Sequence, residues 1–361
     1  MTRLIQADPD RKLSEADKYM RRAIQLAYLG TGNVRRNPLV GSVIVADGRI
    51  IGEGYYRAEG GPHAEIEALR SVRTEDRPLL STATIYVSLE PCCIYGRTPP
   101  CSTAIIEAGI PRVVISVLDL TPGVAGRSVA LLEAAGVEVV TQIAAAAGRQ
   151  LAAPRNVYVS RQRPYIVLKW AESADGFLGR PDRRVKISNA YTQRLGHRWR
   201  AGSTAILVGT NTALLDRPRL DTRHYFGPSP VRVALDRQLR IPRDAPLYDG
   251  RARTIIVTEQ VPPAVVPVSQ LEYWTLDFDQ LLPQLLTRLA EQELATLLVE
   301  GGAQLLGSFL RAGLWNEARI FTAQHPLGDG VAAPRIAHSP RQIYRIGSDL
   351  LKVYQGPAGA G

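Results

Sequence analysis

The chain has 361 residues, 45% apolar and 22% charged, an ordinary globular composition with enough length for two domains and their cores. No run approaches the roughly 18 apolar residues of a membrane span, and nothing at the polar N-terminus reads as a targeting segment. Three cysteines, two of them adjacent, exclude a disulfide framework and predict a reducing, cytoplasmic setting. Residues 1–12 read as a loose terminus. Ser14 is placed to N-cap a helix running to about Leu29, with Ala16, Tyr19, Met20, Ala23, Leu26 and Ala27 at helical spacing. Residues 39–45 and 50–56 form a hairpin turned at Asp47-Gly48. Pro62 opens a helix bearing His63 and Glu65. A strand over 83–89 delivers Pro91-Cys92, followed by a helix at 103–108, a strand at 112–117, a helix at 129–135 and a strand at 137–140. This alternation predicts a three-layer α/β domain over residues 1–150. The Ala-rich run at 144–147 and the segment to Arg163 read as helix and linker. A second α/β domain spans 151–361, with strands at 165–170, 205–208, 231–235, 254–257, 296–299 and 317–322. Its helices fall at 189–200, 278–292 and 302–312, and no Gly-x-Gly-x-x-Gly follows any strand.

The stretch from His63 to Cys101 carries the clearest chemistry. Neutral imidazole and thiolate suit Zn²⁺, and a catalytic zinc keeps three protein ligands and one open position. His63 is the only histidine in the first 196 residues, and all three cysteines of the chain lie in this stretch. His63, Cys92 and Cys101 are the expected ligands, leaving Glu65 free to carry protons. The layout His-x-Glu, then Pro-Cys, then a further Cys is that of zinc-dependent nucleobase deaminases. Eight residues separate Cys92 from Cys101 where the short form of the motif has two, and Cys93 is read as a non-ligand. The bland alternative, a helix-capping histidine among small buried cysteines, leaves the shared location of all four residues unexplained.

The net charge of +10 is uneven. Residues 1–150 hold 17 Lys/Arg against 16 Asp/Glu, the remainder 27 against 18, and residues 180–243 alone 14 against 4. The surplus sits away from the zinc motif, which favours small phosphorylated ligands over a polynucleotide.

Taken together the motifs resemble the bifunctional riboflavin-biosynthesis deaminase/reductase family from about residue 15 to 355. In the first domain the resemblance rests on Asn37-Pro38-Leu39-Val40-Gly41, Gly61-Pro62-His63-Ala64-Glu65, Leu89-Glu90-Pro91-Cys92, Gly96-Arg97-Thr98-Pro99-Pro100-Cys101 and Val124-Ala125-Gly126. In the second it rests on residues 168–176 (Leu-Lys-Trp-Ala-Glu-Ser-Ala-Asp-Gly), 205–212 (Ala-Ile-Leu-Val-Gly-Thr-Asn-Thr) and Val299-Glu300-Gly301-Gly302-Ala303. The resemblance implies a cytidine-deaminase-like α/β/α domain followed by a dihydrofolate-reductase-like α/β domain. It implies hydrolytic deamination of a diaminopyrimidinone bearing a ribosylamino 5′-phosphate, with Zn²⁺, then reduction of the ribosyl group to ribityl with NADPH.

By the same resemblance Asn37 and Arg97 meet the substrate in the first domain. In the second, Lys169, Asp216 and Glu300 form the polar group at the ribose, with Asp216 or Glu300 as the acid. Ser188, Arg200 and Arg223 bind substrate, the two arginines as phosphate ligands, because guanidinium forks suit phosphate. Gly209, Thr210 and Thr212, with Gly301 and Gly302, are expected at the cofactor, where glycine permits close backbone approach. Three positions depart from the pattern. Ile94 and Tyr56 each replace an expected histidine, and Arg217 stands where Asp or Asn is usual. The first two departures open the alternative of a reductase whose deaminase domain is silent or re-specified; a nucleic-acid deaminase is the remaining class. A homo-oligomer, with neighbouring subunits completing a site, is compatible with all of these.

Overall fold

The computed structural model describes residues 2–3, 14–95, 99–121, 123–260 and 269–357. The chain divides between Gln162 and Arg163 into two compact units. A two-residue strand, β1 (Thr2–Arg3), precedes the first unit and joins the sheet of the second.

In the first unit, α1 (Glu15–Ala27) starts where expected: the Ser14 hydroxyl accepts the Asp17 amide, and Met20, Ala23, Ile24 and Ala27 form the buried face. β2 (Gly41–Ala46) and β3 (Arg49–Tyr55) form the hairpin, with Asp47 and Gly48 both left-handed (φ 49° and 71°), the geometry of a two-residue turn. α2 (Ala64–Ser71) lies so close on β3 that a Cβ on Gly54 would sit 2.3 Å from the Ala64 carbonyl oxygen and the Ala68 nitrogen. Glycine at 54 therefore sets the height of the helix that follows His63. β4 (Thr84–Val87), α3 (Cys101–Glu107), β5 (Arg112–Ile115), α4 (Arg127–Ala134), β6 (Glu138–Val140) and α5 (Ala145–Arg161) complete the unit.

Its five strands run in the order β3-β2-β4-β5-β6, antiparallel from β3 to β4 and parallel from β4 to β6. Met20 and Leu151, from α1 and α5, pack with Val43, Val45 and Tyr86 on one face. Ala68, Ile105 and Leu132, from α2, α3 and α4, pack with Ile44, Ile85 and Val87 on the other. These are the three layers the alternation predicts.

Boundaries differ in informative places. His63 is not inside α2 but at its N-cap, with extended backbone (φ −70°, ψ 164°), so the helix begins two residues later than the expected start at Pro62. α3 begins at Cys101 itself, two residues early. A 3₁₀ segment over Thr74–Thr82 has no counterpart in the sequence expectations. The stretch read as helix and linker is helical through Arg161 and buries Leu151 in the first unit's core.

The second unit contains β7 (Tyr165–Glu172), α6 (Ala190–Ala201), β8 (Ala205–Val208), α7 (Thr210–Asp216), β9 (Val231–Leu235), β10 (Thr254–Thr258) and β11 (Leu271–Thr275). Then come α8 (Leu281–Glu291), β12 (Thr296–Val299), α9 (Ala303–Arg311), β13 (Glu317–Thr322), β14 (Gln342–Ile346) and β15 (Asp349–Gln355). The sheet order is β1-β14-β15-β13-β7-β12-β8-β9-β10-β11. From β13 to β11 all neighbours are parallel, and β15, β14 and β1 extend the edge antiparallel. The central strands are unbroken apolar runs such as Ala205-Ile206-Leu207-Val208, as burial on both faces requires. Leu285, Leu289, Leu306 and Phe309 of α8 and α9 cover one face. Among the described residues no helix is long and apolar enough to cross a membrane.

Candidate active sites

The first site forms where α2 begins and where the chain leaves β4. Nδ1 of His63 lies 3.4 Å from Sγ of Cys92 and 3.3 Å from Sγ of Cys101. The three donor atoms all fall within 4.8 Å of one another. The Cys101 amide, first in α3, donates to Sγ of Cys92 at 3.2 Å. Donation from Cys101 and His63 pulls the Cys92 thiol down to about 4 despite its burial. One imidazole nitrogen and two thiol sulfurs converge here, with Cys101 buried and His63 and Cys92 half-buried, a donor set that fits zinc. Cys93 is outside this group, as expected.

Glu65, in the first turn of α2, is only 3% exposed. Burial first, and the charge at Cys92 second, push its carboxyl up to about 7. Asn37 is half-buried, with Nδ2 3.5 Å from the Glu59 carboxylate. Arg97 lies outside the described residues. Ile94 is 47% exposed, whereas Tyr56 is buried against the His63 ring.

Sequence reasoning missed the work of Glu90, two residues before Cys92. Its buried carboxylate accepts the amides of Asp119, Gly126 and Ser128 and the Ser128 hydroxyl, holding Asp119 and the start of α4 beside the strand that delivers Cys92. An acidic residue directly before Pro-Cys, in an otherwise apolar run, was the available signal.

The second site is a cavity of about 1510 Å³ in the second unit, lined by Lys169, Ser188, Arg200, Asp216, Glu300 and the two glycine turns. Glu300 follows β12. The Arg200 fork grips both its oxygens at 2.8 Å, and Nζ of Lys169 stands 3.6 Å away. Burial alone would raise the Glu300 carboxyl, but Arg200 and Lys169 outweigh it and hold it at about 2. Arg200, expected at a phosphate, thus has its fork committed to Glu300, and its remaining nitrogen donates to the Asp221 carbonyl at 3.2 Å. Asp216, at the end of α7, is shifted the other way: burial raises it in spite of Arg184 and Lys169. Arg223 is paired with Asp221 and is not among the residues that line the cavity.

Gly301 has φ 149°, and a Cβ there would meet Oγ1 of Thr212 at 2.8 Å, so the turn after β12 presses directly on α7. Gly209 is the N-cap of α7, and the Thr210 hydroxyl donates to the Leu235 carbonyl at 2.7 Å, tying that turn to β9. Arg217 closes α7 in the left-handed region (φ 42°) and pairs with Asp244. Arg183, Arg184, Lys186, Arg237 and Arg240 also line the cavity, and none was singled out from the basic segment that contains them.

A metal-type donor set with a buried acid/base in a three-layer domain, followed by a largely parallel α/β unit with a basic cavity, defines a two-domain enzyme of deaminase and reductase type. Residues 13–117 match the cytidine and deoxycytidylate deaminase zinc-binding region, and residues 164–348 match the RibD C-terminal domain. The riboflavin biosynthesis protein RibD of Aquifex aeolicus is 37% identical over 327 residues, covering 89% of this chain and 90% of that one. RibD of Escherichia coli is 36% identical over 366 residues, covering 92% and 97%. The crystal structure of a diaminohydroxyphosphoribosylaminopyrimidine deaminase/5-amino-6-(5-phosphoribosylamino)uracil reductase from Thermotoga maritima is 33% identical with a TM-score of 0.86, covering 95% of this chain and 99% of its own. The chain belongs to the RibD family of riboflavin biosynthesis proteins.

Proposed function

We propose that this chain catalyses two successive steps of riboflavin biosynthesis. The unit ending at Gln162 hydrolyses the amino group of 2,5-diamino-6-ribosylamino-4(3H)-pyrimidinone 5′-phosphate, and the unit beginning at Arg163 reduces the ribosyl group to ribityl with NADPH. The observation that carries the reading is the convergence of His63, Cys92 and Cys101 beside a buried Glu65 whose proton affinity lies near neutrality.

Zinc in such a donor set supplies an acidified water at neutral pH. Glu65 takes one proton of the attacking water and gives it to the ring nitrogen, then passes the water's second proton to the departing amine, so that ammonia leaves as the carbonyl forms. Asn37 and Arg97 are assigned to the substrate on the family pattern. In the second unit the hydride is NADPH's chemistry, and the protein binds, orients and polarises. Glu300 stays ionised and keeps Lys169 and Arg200 in place. Asp216, raised by burial, is the carboxyl able to hold a proton for opening the ribose, so it and not Glu300 is assigned as the acid. Ser188, Gly209, Thr212, Gly301 and Gly302 line the same cavity and are assigned to substrate and cofactor.

A silent first domain is not favoured, because its donor set and its proton carrier are both complete. A nucleic-acid deaminase is not favoured either, because the positive surplus belongs to the second unit. The test is ammonia release from the diaminopyrimidinone phosphate by zinc-loaded protein with NADPH omitted. Release that vanishes in Glu65→Gln is expected. No release from folded, zinc-containing protein would sink the deaminase assignment.

A further inference from the structure

Tyr56 stands where the family pattern has a histidine, and its surroundings show what it does here. It follows β3, and its amide donates to the Val40 carbonyl at 2.9 Å, adding one rung to the hairpin. Its side chain is 7% exposed. Its hydroxyl accepts the Gly60 amide at 2.9 Å, so the ring is held at both ends. Between those anchors it meets the His63 ring edge-to-face, with centroids 5.5 Å apart and planes at 82°.

His63 needs that contact. Its Nδ1 faces the two sulfurs, and its side chain makes no capping bond at the start of α2. A metal-binding histidine is ordinarily steered by a hydrogen bond from its second ring nitrogen. Nε2 of His63 has no protein partner among the described residues, so the aromatic wall is what sets the ring angle.

We propose that Tyr56 is a positioning residue for the zinc ligand His63, fixing the imidazole plane through its ring, and is not a vacated substrate contact. This rests on the zinc reading of the site given above. A smaller imidazole at 56 would lose both the ring area and the reach to Gly60.

The experiment measures zinc affinity of the full chain by chelator competition, and the visible absorption of the cobalt-substituted protein, for wild type, Tyr56→Phe, Tyr56→Leu and Tyr56→Ala. Removal of the aromatic ring in the Leu and Ala variants should weaken zinc binding about 10-fold and shift the cobalt bands. Tyr56→Phe keeps the ring and should restore both to near wild type. Far-UV circular dichroism and amide-exchange protection of the first unit's central strands report that each variant is folded, and Tyr56→Leu serves if Tyr56→Ala is not. Wild-type affinity and an unshifted cobalt spectrum in Tyr56→Leu overturn the proposal. So does a rise in KM alone, which would make Tyr56 a substrate contact. A wild-type chain that takes up no zinc overturns the reading of the site itself, an outcome distinct from the others.

Discussion

Each unit buries a glutamate at the heart of its site, and the two are driven in opposite directions. Glu65 is enclosed beside the negative charge at Cys92 and is raised to about 7. Glu300 is buried too, at 9% exposed, but Arg200 and Lys169 meet it and hold it at about 2. Burial pushes both carboxyls upward and prevails at Glu65, whereas at Glu300 the two facing cations reverse it.

The largest effect should come from Glu65→Gln. Ammonia release should fall by at least about 10²-fold, while NADPH oxidation with the deaminated pyrimidine stays at the wild-type rate. Loss of both activities would mean that the units do not work separately. Next, Asp216→Asn should lower the kcat of that oxidation by about 10²-fold and leave NADPH affinity, read by fluorescence titration, unchanged. An unaffected kcat would return the acid role to Glu300. Arg200→Met strands the Glu300 carboxylate with Lys169 alone and should destabilise the second unit by about 3 kcal/mol. All four tryptophans lie in that unit, so tryptophan fluorescence in a urea titration isolates its unfolding.

The comparison also predicts opposite pH slopes in zinc-free protein. Glu300 is depressed from 4.5 to about 2, so its stabilisation is present above pH 4.5 and is lost as pH falls toward 2. Glu65 is raised from 4.5 to about 7, so its contribution is full below pH 4.5 and is lost as pH rises through 7. Denaturation midpoints across pH, compared with Glu65→Gln and Glu300→Gln, should show each slope flattened by its own variant only. The smallest effect belongs to Arg217→Asn. It removes an exposed pair with Asp244 but relieves a left-handed backbone that asparagine tolerates, so the net change should stay within about 0.5 kcal/mol. A larger loss would mean that exposed pairs here matter as much as buried ones.

What could be read from the chain follows the range of the forces involved. Ser14, Asp47-Gly48 and the apolar strands act within a few residues, and the structure places them as the pattern predicts. The cluster of His63, Cys92 and Cys101 was legible because so few histidines and cysteines exist to choose from. α7 was missed because seven residues after a strand hardly express a helical period. β11, β14 and β15 were missed because polar residues interrupt them; β11 is an edge strand, β14 is bordered on its outer side only by the two-residue β1, and β15 neighbours β14. The partner of Arg200 lies 100 residues away, and nothing local distinguishes that arginine from the 13 other basic residues of its segment. Tyr56 looked like a loss because a substitution shows what is gone and not which ring it now touches.

Glu90 has one more consequence. It fastens Asp119 and the start of α4 to the strand end just before Cys92, while Cys101 is set by the first turn of α3. Cys92 is therefore held from both directions, by this anchor before it and by the Cys101 amide on its sulfur and the Ser102 amide on its carbonyl. Lengthening the chain between the two cysteines adds little closure entropy. The span from Cys92 to Cys101 is thus a loop already latched at both ends, whose length can change at little cost to the place where the two sulfurs meet.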